Sequence, residues 1–145
     1  VETFLELRRI RLLLEGEAVA LAAHRISSSQ LNAAKNLLRR LENLDQSKRE
    51  QFWSLNHRLH FAVYEASGSA LLLSIIESLW LQIGPLLARI PVSRAVADST
   101  DPHRRLVRAL EQRDPDAAQA ALESDLTAST EQVLKELSRQ KFIVG

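Results

Sequence analysis

The sequence predicts an all-α fold, an antiparallel bundle of about six helices. Three observations carry this. Only four glycines and four prolines interrupt 145 residues. Ala, Leu, Arg, Glu and Gln, all strong helix formers, dominate the chain. Apolar residues recur at spacings of three and four, and few runs alternate with period two. At this length the whole of 1–145 reads as one domain with a core of its own.

The first helix is predicted from about Glu2 to His24, with Leu7, Ile10, Leu14, Ala18, Leu21 and Ala22 as its core stripe. Ser27, Ser28 and Ser29 break that pattern and offer N-caps to a second helix that runs to about Leu44. Its stripe is Leu31, Ala34, Leu37, Leu38 and Leu41. A third spans about Lys48 to Ala66, with Phe52, Leu55, Leu59 and Val63 inward, and stops at Ser67-Gly68. The fourth, Ala70 to about Ile90, is apolar on most of its circumference and is expected at the centre, ended by Pro91. Val92 to Thr100 reads as a polar loop. Asp101-Pro102 and Asp114-Pro115 then read as N-cap plus first residue of a fifth and a sixth helix. The sixth is expected to reach about Arg139, with a frayed tail from Gln140 to Gly145.

Composition narrows the function. With no Cys, disulfides and thiolate metal sites are excluded. The stretch Ala70 to Ile90 is broken by Ser74, Glu77, Ser78, Gln82 and Gly84, which argues against a membrane span. The first 25 residues carry charges throughout and show no signal peptide, so a cytoplasmic location is expected. Lys plus Arg total 19 and Asp plus Glu total 18, so no basic stripe exists with which this chain alone would grip DNA. A chain that starts at Val1 and holds no Met is expected to be a fragment or a processed product.

The informative residues are polar ones on apolar stripes. Arg11 falls between Leu7 and Leu14. Asn56 and His60 lie four apart beside the third helix's stripe. His103 precedes Leu106, Val107 and Leu110 by three, four and seven residues. Asp125 lies on the line of Ala118, Ala121, Leu122 and Ser129. Unpaired polar groups are costly to bury, so this set suggests a shared polar cavity. Two imidazoles with oxygen donors suit a divalent ion such as Zn²⁺, Ni²⁺, Mn²⁺ or Fe²⁺, and an inward Arg suits a carboxylate. The same residues admit blander readings. An inward His is more often a satisfied core residue, and a stripe-edge Arg more often snorkels to solvent. His24 and His57 read as structural. No nucleophile elbow, phosphate loop or additional general base is present, so a metal-dependent hydrolase is the weaker alternative and no enzyme is expected. A ligand-free helical dimerisation module is the other alternative.

These residues also resemble a known family, the C-terminal effector-binding (FCD, FadR-like) domain of GntR-type bacterial transcription regulators. The likeness covers nearly the whole chain. Arg11-Leu12-Leu13-Leu14-Glu15 followed by Leu21-Ala22-Ala23 resembles its opening motif. Asn56-His57-Arg58-Leu59-His60, continuing to Ser67-Gly68, resembles its Asp-x-x-Phe-His segment. His103, Val107-x-Ala109-Leu110, Asp114, Ala117 and Ala118 resemble its closing segment. The resemblance implies a divalent metal held by one Asp and three His. His60 and His103 match ligand positions, while Asn56 stands in place of the Asp and Asp125 in place of the last His. It further implies a small organic acid as effector, with Arg11 and, more weakly, Arg89 as its arginine partners. It implies a homodimer, and DNA contact only through a winged-helix domain preceding Val1.

Overall fold

The computed structural model describes residues 2–45, 49–89 and 92–143. Six helices follow one another: α1 (Glu2–Arg25), α2 (Ser28–Glu42), α3 (Arg49–Glu65), α4 (Ala70–Leu87), α5 (Val92–Glu111) and α6 (Pro115–Ile143). No strand occurs among the described residues. The all-α expectation holds. α6 packs most extensively against α5 and α1, and α2 bridges α3 and α5. Between them lies one cluster of buried apolar residues drawn from every helix.

Local chemistry explains the boundaries. Ser27 caps α2 through a reciprocal box: Gln30 N donates to Ser27 Oγ at 3.1 Å and Ser27 N donates to Gln30 Oε1 at 2.9 Å. α3 stops at Gly68, whose φ of 73° lies in the left-handed region that glycine enters without strain. Leu72 N donates to Ser69 Oγ at 3.3 Å and starts α4. Asp114 Oδ1 accepts from Ala117 N at 3.0 Å and starts α6. The exposed Asp114→Ala substitution is expected to cost about 1 kcal/mol, the usual loss of an N-cap, measurable as a shift of the urea midpoint. Arg113 takes a left-handed φ of 53°. Its guanidinium donates to His24 O at 3.2 Å and Ile26 O at 3.0 Å, so the turn between α5 and α6 clasps the end of α1.

Four expectations are corrected. Residues 92–100 are helical, so α5 is 20 residues long and Pro102 lies inside it rather than at its start. A proline within a helix removes one backbone donor, and α5 continues through that gap. The core stripe of α1 is rotated from the expected one. Ile10 is exposed, whereas Phe4, Arg11, Glu15, Ala18, Val19 and Ala22 are buried. α4 is not central. Ile76, Leu79, Trp80, Ile83 and Leu87 form one buried face, and Leu71, Ile75 and Leu81 are exposed. By length and composition α4 could cross a bilayer; its buried face closes the side of the bundle against α1. Finally, α6 continues past Arg139 to Ile143, so the expected fraying does not begin at Gln140. The expected stop at Pro91 lies outside the described residues.

Candidate functional site

Five of the six helices deliver polar side chains to the interior. α3 presents His60, α5 presents His103 and α6 presents Asp125. His60 and His103 are each 1 % exposed. The periodicity that buries Leu59 and Val63 on α3, and Leu106 and Leu110 on α5, carries both imidazoles inward with them. Their Nε2 atoms lie 3.1 Å apart. Asp125 Oδ2 lies 3.1 Å from His60 Nε2 and 3.5 Å from His103 Nε2.

This triangle has the dimensions of one face of a coordination polyhedron. Metal–ligand bonds of about 2.0–2.1 Å put neighbouring donor atoms about 3.0–3.4 Å apart. The hydrogen-bond network adds a reason for a positive charge there. Tyr64 Oη donates its proton to Glu15 Oε2, so its oxygen can only accept from His60 Nδ1, 3.0 Å away. That places the proton of a neutral His60 on Nδ1 and leaves a lone pair on Nε2. This lone pair faces the carboxylate of Asp125. An added proton or a cation at the centre removes the conflict. The donor set therefore fits a divalent ion with three protein ligands and remaining positions open. Asn56 lies one turn before His60 on α3 and is buried. His103 Nδ1 is buried and has no hydrogen-bond partner among the described residues.

The ionisation of Asp125 follows from these neighbours. Burial alone would raise its pKa, but the His103 and His60 imidazoles outweigh burial and hold the carboxyl far below the usual carboxylate range. A carboxyl whose folded pKa is depressed stabilises the fold above its unfolded pKa, near pH 4. That stability is lost as pH falls toward the folded value, because only the unfolded state then takes up the proton. Asp125→Asn is expected to flatten this acid limb. Urea unfolding at about pH 5 and pH 3, in chelator-treated buffer, checks it.

Arg11 is buried as expected from its place on the α1 stripe, 4 % exposed. Its guanidinium is engaged by a residue not anticipated, Glu15, one turn further along α1. Arg11 Nε donates to Glu15 Oε1 at 2.6 Å and a terminal nitrogen donates to Oε2 at 3.3 Å. Glu15 is fully buried. It also accepts from Trp80 Nε1 at 3.1 Å and from Tyr64 Oη. The Arg11 guanidinium carbon lies 5.1 Å from the centre of the Trp80 ring. Burial, then the Glu15 charge, pushes the Tyr64 hydroxyl well above its ordinary pKa, which keeps it a donor. One chain of contacts thus runs from Arg11 through Glu15 and Tyr64 to His60. The signal for Glu15 was its four-residue spacing from Arg11. Tyr64 and Trp80 gave none, because their partners lie on other helices.

Arg89 is not brought into this cluster. It lies just past the C-cap of α4, Ala88, and is exposed. His57 stacks on Phe61, with ring centres 4.2 Å apart, and meets Trp80 edge-on. Burial, then the His60 charge, lowers its pKa against an opposing pull from Glu77.

The family model described as the FCD domain matches residues 6–128. The HTH-type transcriptional regulator McbR of Escherichia coli K12 is 35% identical over 81 residues, which cover 55% of this chain and 37% of that regulator. The solved structure of E. coli McbR/YncC superposes with a TM-score of 0.84 at 26% identity, covering 94% of this chain and 66% of that one. The metal-free FCD domain of TM0439 superposes with a TM-score of 0.77 and covers 92% of this chain and 93% of its own. At 24% identity that last likeness speaks to the fold alone. The chain belongs to the FCD-domain family, and it is a regulatory rather than a catalytic domain.

Proposed function

We propose that this domain senses a small organic acid for a transcription regulator, and that the acid binds beside a divalent ion held by His60, His103 and Asp125. The observation that carries this reading is the convergence of those three donors within 3.5 Å, two of them buried imidazoles. Asn56 supplies a fourth, neutral donor. The ion, Zn²⁺, Ni²⁺, Mn²⁺ or Fe²⁺, contributes positive charge and open positions for a carboxylate. Arg11 assists once its guanidinium turns part of its fork from Glu15 to the effector; Arg89 plays at most an outer role.

The domain works as a homodimer in the cytoplasm. It reaches DNA through a winged-helix domain that precedes Val1 in the full protein. The effector shifts the spacing of two such heads by binding one packing of the bundle better than the other. The likeness to McbR, an HTH-type transcriptional regulator, supports this role. Calorimetric titration of hydroxy-, keto- and amino acids into the metal-loaded protein tests it. Saturable binding by one class is expected, with loss in His60→Ala. Absence of binding across all three classes to folded, loaded protein contradicts it.

The Arg11–Glu15 pair favours a second reading, a dimerisation module whose inward polar groups satisfy one another. That reading predicts no metal in elemental analysis and no response to acids.

A further inference from the structure

Outside the buried cluster, a groove of about 500 Å³ runs between α3 and α4. Its walls include Trp53, His57, Glu77, Trp80 and Leu81. Both tryptophans of the sequence are among them. Leu81 is 80 % exposed at the rim, so the groove opens to solvent. Glu77 is the sole charge on the 18 residues of α4, and no described residue forms an ion pair with it. Indole and imidazole faces carry negative quadrupole density. Together with the Glu77 carboxylate they make this volume attractive to a cation and unattractive to an anion.

We propose that this groove is a second ligand site, taking a small organic cation with an apolar or aromatic body, such as an amine or quaternary ammonium compound. The cationic head lies against the aromatic walls and Glu77, and the body fills the space toward Leu81 and Leu87. Its volume is that of small-molecule sites. The ligand class is opposite in charge to the acid proposed for the interior, so the two sites do not compete. Trp80 belongs to both surroundings. Its ring lines the groove while its Nε1–H holds Glu15. The proposal does not depend on a metal at His60.

Benzyltrimethylammonium, titrated while tryptophan fluorescence is followed, is the test, with phenylacetate and benzyl alcohol as anionic and neutral comparators. The expected result is a saturable change with the cation, a several-fold weaker response with benzyl alcohol and none with phenylacetate. Glu77→Gln, at an exposed position, should weaken the cation about fivefold or more, the equivalent of one screened charge contact. Trp53→Ala should abolish the response while Trp80 still reports. Circular dichroism verifies that both variants keep their helices. The proposal is overturned by no saturable change up to about ten millimolar, by an equal response to phenylacetate, or by an unchanged affinity in Glu77→Gln. It is equally overturned if light scattering shows a dimer whose formation shields the tryptophans and shuts out the cation, since the occupant is then a second copy.

Discussion

Glu15→Leu is expected to destabilise the domain by about 3–5 kcal/mol, the cost of leaving one member of a buried ion pair behind. The reason is specific. Glu15 is fully buried and accepts from three side chains on three helices: Arg11 of α1, Tyr64 of α3 and Trp80 of α4. Leucine approximates its volume, so packing alone predicts a small effect. The guanidinium of Arg11, 4 % exposed, would lose its counter-charge with no route to water. Domains of this size hold about 5–15 kcal/mol in total, so the loss is a large share and the Tm should fall by roughly 10 °C or more. Arg11→Met combined with Glu15→Leu should recover the part owed to the unpaired guanidinium, because an apolar pair replaces a buried ionic one, while Tyr64 and Trp80 still lack their acceptor. Urea unfolding of the two variants checks this. A double variant no more stable than Glu15→Leu would show that the charge of Arg11 is not the cause.

Tyr64→Phe carries the second large effect, and it acts on the site as well as the fold. The hydroxyl is the partner of His60 Nδ1 among the described residues and a donor to Glu15. Its removal leaves both groups wanting a hydrogen bond in a dry interior, about 1–3 kcal/mol. It also frees His60 to move its proton to Nε2, where the proton blocks a metal. Removing the group that orients a ligating imidazole typically weakens metal affinity 10- to 100-fold. The expected outcome is a folded, moderately destabilised protein with ion affinity reduced by that factor. An unchanged ion affinity would show that Tyr64 supports the core and nothing more. Nitrogen NMR of the His60 ring distinguishes the tautomers directly.

Burial of the polar residues is legible in the sequence where one helix's periodicity decides it. His60 follows Leu59 and precedes Val63, and His103 precedes Leu106 and Leu110, so any phase that buries the leucines buries the imidazoles. Glu15 is absent from the inward polar set that the periodicity suggests, because the predicted α1 stripe runs through Ile10 and Leu21. A stripe through Phe4, Arg11, Ala18 and Ala22 would have exposed the pairing. The sidedness of α4 was not legible at all. A helix with a single charge has no polar face to orient it, so composition suggested a central position that packing against α1 does not give it. The start of α5 was misplaced for a different reason. Asp-Pro reads as a cap when met in isolation, yet the one donor that Pro102 lacks does not end α5.

In the proposed site His60, His103 and Asp125 hold a divalent ion. Calorimetric titration of chelator-stripped protein with Zn²⁺, Ni²⁺ and Mn²⁺, beside His60→Ala and His103→Ala, tests it most directly. One ion per chain, bound in the native sequence and lost in both variants that keep their helices, is the predicted result. No binding by the native chain, or binding that survives both substitutions, would contradict it.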